Sequence, residues 1–204
     1  MIIRAISGKK TLPACEMRDN VAQFPAMKLR SLLALSASLA MFFFSTAHAD
    51  PLKVGDKAPT VAGVTETGAM LNLGDVYAKQ TYTLVYFYPK ADTKGCTAQG
   101  CSLRDAYDEL TKKGVAVIGV SLDNAAAQKA FKDKNNFQFT LIADPDKTVV
   151  NAFGVPTKSI PGLGEIALRQ AYLIKDGKII WLDYKAKTTD QAADVLKVLA
   201  DQKS

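Results

Sequence analysis

The 204 residues carry a formal charge of +6, with three cysteines and one histidine. Residues 1–49 hold six Lys/Arg and two Asp/Glu, which leaves 20 against 18 beyond them, so the excess positive charge belongs mostly to the leader. The near balance that follows gives no electrostatic case for binding nucleic acid.

From Met27 the chain reads MKLRSLLALSASLAMFFFSTAHAD. Lys28 and Arg30 form a basic region, the apolar run Leu32–Phe44 follows, and Ala47-His48-Ala49 supplies small residues in an A-x-A arrangement. This is the layout of a secretory signal peptide, predicted at Met27–Ala49 and cut before Asp50. The apolar run is short of the roughly 20 residues that span a bilayer, so no membrane attachment is expected after cleavage. Residues 1–26 precede this signal without periodicity. They are read as a non-native upstream extension, with Met27 as initiator and Cys15 absent from the mature protein. The expected location is periplasmic or secreted. Residues 50–204 are then one domain, long enough to bury a core. That domain keeps Cys96 and Cys101 and no histidine. A zinc site, which takes about four ligands, is therefore not expected.

In chain order, Val61–Val64 and Ala69–Leu73 flank Thr-Glu-Thr-Gly and predict a short hairpin. Thr81–Tyr88 is aromatic and β-branched, ends at Pro89, and reads as a buried strand. Gly95–Lys113 reads as a helix stopped by Gly114. Val115–Ser121 is a second buried strand, Asn124–Lys134 a helix, Thr140–Ala143 a short strand and Lys147–Phe153 a short helix. Gly154–Ile166 is rich in Gly and Pro and is expected to be a loop. Leu168–Ile174 and Lys178–Tyr184 flank Asp176-Gly177, a favoured hairpin turn. Thr188–Asp201 closes the chain as an amphipathic helix, with Thr188 or Thr189 as its N-cap. This alternation is an α/β order.

The informative stretch is YFYPKADTKGCTAQGCSLRD, Tyr86–Asp105. A buried strand delivers the chain to Pro89, and Cys96 falls in the first turn of a helix. Unpaired N–H groups and the positive end of the helix dipole favour an anion there, here a thiolate. Asp92 or Thr93 is placed to cap the helix. Cys101 lies five residues on. In an intact helix that is about 7.5 Å of rise with the two side chains about 140° apart. A disulfide needs Cα atoms within about 7 Å and converging Cβ vectors. The helix must therefore be absent, or must unwind when the bond forms. Gly95 and Gly100 would ease such a change. The pair reads as a switch more than a static staple.

This stretch resembles the atypical two-cysteine peroxiredoxins of the peroxiredoxin Q type, also called bacterioferritin comigratory proteins. Their Pro-x-x-x-Thr-x-x-Cys core is matched by Pro89, Thr93 and Cys96. The continuation is matched at Thr97, Gln99, Cys101, Leu103, Arg104 and Asp105, and the family arginine is placed at Arg169. Lys94 departs from the usual proline and is read as solvated; Pro156–Glu165 is individual to this chain. The resemblance implies a thioredoxin-like fold, with a mixed central sheet flanked by helices and an added N-terminal hairpin. It also implies a thiol-dependent peroxidase acting on hydrogen peroxide and organic hydroperoxides. In that mechanism the Cys96 thiolate attacks the peroxide and becomes a sulfenic acid. Cys101 resolves it, and a thioredoxin-like dithiol reduces the disulfide. Thr93 and Arg169 contact the peroxide, and Pro89 shields the thiol. No cofactor or metal is implied, and a monomer is expected. Arg104 is read as a structural ion-pair residue, and Trp181 and Tyr184 as sheet packing.

Two other functions use similar parts. An exported thiol-disulfide reductase of the same fold would normally carry Cys-x-x-Cys, whereas four residues separate Cys96 and Cys101. A copper module could hold Cu(I) with two thiolates, but such chaperones add a histidine. A non-enzymatic structural role would leave the whole Pro89–Asp105 match unexplained.

Overall fold

The structure is a computed structural model and describes residues 51–202. The upstream extension and signal peptide expected over residues 1–49 lie outside the described residues.

Among the described residues nine strands and six helices follow in order. The N-terminal hairpin is β1 (Ala62–Thr65) and β2 (Met70–Asn72). Directly after it comes α1 (Leu73–Lys79), which the sequence reading did not contain. Asn72 caps it by accepting from Gly74 N at 2.8 Å, and Leu73 and Tyr77 anchor it in the core. Next are β3 (Tyr82–Phe87), α2 (Lys94–Asp105), α3 (Tyr107–Lys112) and β4 (Val115–Ser121). The helix expected over Gly95–Lys113 is thus two, broken at Ala106 (φ −96°, ψ 5°). Leu103 and Leu110, on either side of the break, are both fully buried. No Gly or Pro marks the break, so local sequence does not announce it.

The chain continues through α4 (Ala125–Asn135), β5 (Thr140–Ala143) and α5 (Thr148–Ala152). The expected loop after it contains a second hairpin, β6 (Thr157–Ile160) with β7 (Gly164–Ala167). Gly162 and Gly164, at φ 78° and 79°, supply its turn. Glu165 ties it down, accepting from Thr157 Oγ1 at 2.6 Å and pairing with Lys147. Gly and Pro hid these short strands from a compositional reading. The chain ends with β8 (Gln170–Lys175), β9 (Lys178–Asp183) and α6 (Gln191–Asp201). Asp176 and Gly177 both take positive φ, as the expected turn requires. Asp190, not Thr188 or Thr189, occupies the N-cap position of α6.

The main sheet has seven strands in the order β2-β1-β5-β4-β3-β8-β9. Strands β3, β4 and β5 are parallel, while β1, β8 and β9 pair antiparallel with their neighbours. This is the mixed, thioredoxin-like sheet with the added hairpin at one edge. Alternate residues of β3 feed two cores, because side chains of a strand alternate between faces. Leu84 and Tyr86, with Tyr88 just past the strand end, join Leu103, Leu110 and Val195 from α2, α3 and α6. Val85 and Phe87 join Tyr77 and Val149 from α1 and α5. The centre of β3 is buried on both sides, which explains its unbroken apolar run.

Tyr184 lies past the end of β9, is exposed and donates to Leu52 O at 2.5 Å; only Trp181 packs against the sheet core as expected. Arg104 pairs with Asp105 at 2.8 Å, as read from the sequence, and also donates to Asn135 O.

Candidate active site

Strand β3 ends at Phe87, and the turn that follows carries Pro89, half-buried, toward α2. A polar network holds that turn. Tyr88 donates its buried hydroxyl to Gln128 Oε1. Gln128 donates to Ser121 Oγ at 2.8 Å, and Ser121 donates to Asp123 at 2.7 Å. Asp123 in turn accepts from the Ala91 backbone at 2.7 Å and pairs with Lys90 at 3.5 Å. The last residues before the helix are thereby fixed from the core outward. Asp92 adopts φ 59° and is held by Lys134, both carboxylate oxygens at 2.8 Å. Its charge is thus paired with α4, away from the helix N-cap.

Thr93 is the N-cap residue of α2 by backbone conformation, but its side chain caps nothing. Its hydroxyl donates instead to Lys90 O at 3.0 Å. Lys94 is exposed. Cys96 follows in the first turn, only 2% exposed. Arg169 reaches it from the β7–β8 junction, with Nη2 3.3 Å from Sγ. The register explains the meeting: Phe87 lies opposite Gln170, so Arg169 stands level with the end of β3. The second arm of the guanidinium, Nη1, donates to Gln99 Oε1. Gln99 Nε2 donates onward to Gln191 Oε1 at 2.7 Å.

The structure therefore brings together Cys96 and Arg169, with Thr93 at the start of the same helix and Pro89 in the turn before it. It does not bring Cys101 to Cys96. Both thiols are free, and α2 runs unbroken through them. Cys96 is buried while Cys101 is only partly so. A bond between them needs the helix to open, as the spacing requires. Gly100, read as a point of flexibility, has a packing reason: a Cβ there would stand 2.4 Å from Phe137 Cζ. The glycine lets α2 lie directly on that ring.

Beneath the site, Tyr86 is buried against Tyr88, their rings 5.5 Å apart, and its hydroxyl has no hydrogen-bond partner among the described residues. Burial pushes the Tyr86 phenol well above its ordinary value, with Tyr88 and Cys96 adding to the effect and Arg169 opposing it. The Tyr88 phenol is raised as well, again chiefly by burial. Both rings stay neutral and act as walls. A cavity of about 590 Å³ adjoins the turn, lined by Lys90, Asp92, Asp123, Phe131 and Lys134. Neither Cys96 nor Arg169 lines it, so it is a neighbour of the thiol and not its chamber. Among the described residues no three His, Cys, Asp or Glu side chains gather as a metal ion would need.

Sequence reasoning named Gln99 without giving it a task and passed over Gln191, Tyr88 and Gln128. Gln99 could have been found from its place in the motif. The other three carry no local signal, because their partners lie far away along the chain.

Residues 54–182 match the model of the AhpC/TSA family. Peroxiredoxin Bcp of Escherichia coli (strain K12) is 41% identical over 155 residues, covering 74% of this chain and 98% of its own. Among solved structures, peroxidoxin BcpB of Mycobacterium tuberculosis has a TM-score of 0.69 at 26% identity, covering 75% of this chain and 99% of that one. A bacterioferritin comigratory protein of Xanthomonas campestris, described for its alkyl peroxide reduction activity, has a TM-score of 0.65 at 25% identity. That match covers 74% of this chain and 100% of the other.

Proposed function

Because the chain belongs to the AhpC/TSA family and is a thiol-dependent peroxidase of the bacterioferritin comigratory, or peroxiredoxin Q, type, we propose that Cys96 is its attacking sulfur and Cys101 its resolving one. The observation that carries this reading is the Arg169 guanidinium 3.3 Å from a buried Cys96 Sγ at a helix N-terminus. The free N–H groups of a helix end and a guanidinium both stabilise negative charge placed beside them.

The thiolate attacks one peroxide oxygen, and the O–O bond breaks as the S–O bond forms. Sulfur is oxidised by two electrons to the sulfenic acid, and the leaving oxygen takes a proton and departs as water or an alcohol. Arg169 offers its donors to the sulfur and to the charge developing on the leaving oxygen. The Thr93 hydrogen is committed to Lys90 O, so this hydroxyl meets the peroxide as an acceptor of its O–H. Pro89 keeps bulk water off the sulfur. Cys101 then attacks Cys96, an S–S bond forms and water leaves. A thioredoxin-like dithiol reduces that bond and becomes a disulfide itself. The alkyl peroxide activity of the Xanthomonas relative supports organic hydroperoxides as substrates beside hydrogen peroxide. We take the working unit to be a monomer.

The test is peroxide consumption by residues 50–204 supplied with a thioredoxin system. Cys96→Ser should abolish turnover, because a hydroxyl there stays protonated; substantial residual activity would assign the nucleophile elsewhere. Export to the periplasm or medium rests on the sequence of residues 27–49 alone. The mass of the protein isolated from its native host should correspond to a chain starting at Asp50, and a soluble species retaining Met1 would refute that.

A further inference from the structure

Gln99 and Gln191 are fully buried, and their side-chain amides form a chain that ends on the guanidinium. The polarity of this chain is set from its arginine end. A guanidinium has only donors, so it can face only the oxygen of Gln99. The Gln99 NH2 group must then point toward α6, where it needs an acceptor. Gln191 supplies one from 92 residues further along the chain. In doing so it leaves its own Nε2 buried with no hydrogen-bond partner among the described residues. An unpaired buried donor is unfavourable, and for packing alone an apolar side chain of the same volume would serve better. Turning the Gln191 amide over would set two NH2 groups against each other.

We propose that Gln191 is a positioning residue for the peroxidase centre. Its side-chain oxygen locks the Gln99 amide in the one orientation that accepts from Arg169, and so holds Arg169 on Cys96. This rests on Cys96 being the attacking sulfur. Without an acceptor at position 191, the Gln99 amide is free to present its NH2 to the guanidinium, where two donors meet. Arg169 then loses its anchor, and its hold on the sulfur loosens. The C-terminal helix thereby tunes a site to which it contributes no reacting atom. The same two helices share a second tie, from Ala192 N to Ser102 Oγ at 3.2 Å, which leaves the amide chain untouched.

The test uses stopped-flow rates of peroxide attack on the reduced protein, with the ultraviolet absorbance of the thiolate at neutral pH as a second readout. Gln191→Met keeps the volume and removes the acceptor. It should slow attack about 5- to 10-fold, the scale of one hydrogen bond, and lower the thiolate absorbance. Placed on Gln99→Met it should add nothing, because Gln191 acts only through Gln99. Ser102→Ala should leave both readouts at the wild-type level. If methionine is not accommodated, Gln191→Ala carries the same expectations. Wild-type behaviour in the position-191 variant would overturn the proposal, as would losses that multiply in the double variant. An equal loss in Ser102→Ala would also overturn it, by assigning the effect to helix docking. Cys96→Ser in the same assay gives no fast phase if Cys96 attacks, so failure of that assignment shows separately.

Discussion

Arg169 spends its two arms on different partners, one on the Cys96 sulfur and one on Gln99. Replacing it separates charge stabilisation from nucleophilicity, because Cys96 itself remains. Arg169→Ala should slow peroxide attack about 10²–10³-fold, the scale of losing a preorganised donor. Stopped-flow rates at the wild-type level would return Arg169 to a purely structural role. Lysine is a poor substitute, since one ammonium lacks the planar fork that serves both partners at once. Thr93 shows why residue type alone is an incomplete guide. A threonine at a helix start reads as a cap, yet its hydroxyl turns back to Lys90 O.

At the scale of an element, the helix α2 holds both thiols in an arrangement that cannot form their bond. Oxidation should therefore lower the helical signal and speed amide exchange across Thr97–Ser102. Gln99 lies inside that segment, so opening it also breaks the contacts to Arg169 and Gln191. Cys101→Ser should still reduce peroxide once, in a single fast turnover, and then stall as a sulfenic acid prone to over-oxidation. Mass spectrometry without reductant should find a Cys96–Cys101 bond within one chain. A dimer linked through Cys96, or an unchanged helix after oxidation, would defeat intramolecular resolution while leaving the peroxidase activity intact.

For the molecule as a whole, Asp144 links stability to pH. It is buried beyond β5, and its carboxyl accepts from the backbone of Val149 at 3.1 Å and Val150 at 2.8 Å at the start of α5. Burial raises its pKa above the ordinary value, and these bonds only partly offset that. A raised folded pKa means that the protonated form is favoured by folding. Its contribution is full below the unfolded pKa and is lost as pH rises through the folded one. Relative to Asp144→Asn, the wild type should lose about 1.4 kcal/mol for each unit separating the two pKa values. Urea unfolding of both proteins across the acidic range measures this; a difference independent of pH would show the carboxyl to be unperturbed.

Periodicity and composition were enough for the elements whose signal is local. The continuous apolar run of β3 marks a strand buried on both faces, and Asp176-Gly177 marks the β8–β9 turn. The spacing of Cys96 and Cys101 already dictated that a helix and a disulfide exclude each other. Elements whose cause is distant were not legible. The break at Ala106 has no breaker in it, and α1 is too short to show a period. The closeness of Gly100 to Phe137 depends on how α2 lies on the residues before β5. In the candidate site, the motif groups Cys96, Thr93 and Pro89 because they are close in sequence. The meeting of Arg169 with Cys96 needs β8 beside β3 in the register that sets Gln170 opposite Phe87. Gln191 needs α6 docked on α2 as well. A sequence records which side chains are present and what nearby residues do to one another. Which distant donor meets which acceptor is decided only when the sheet order and helix packing are complete.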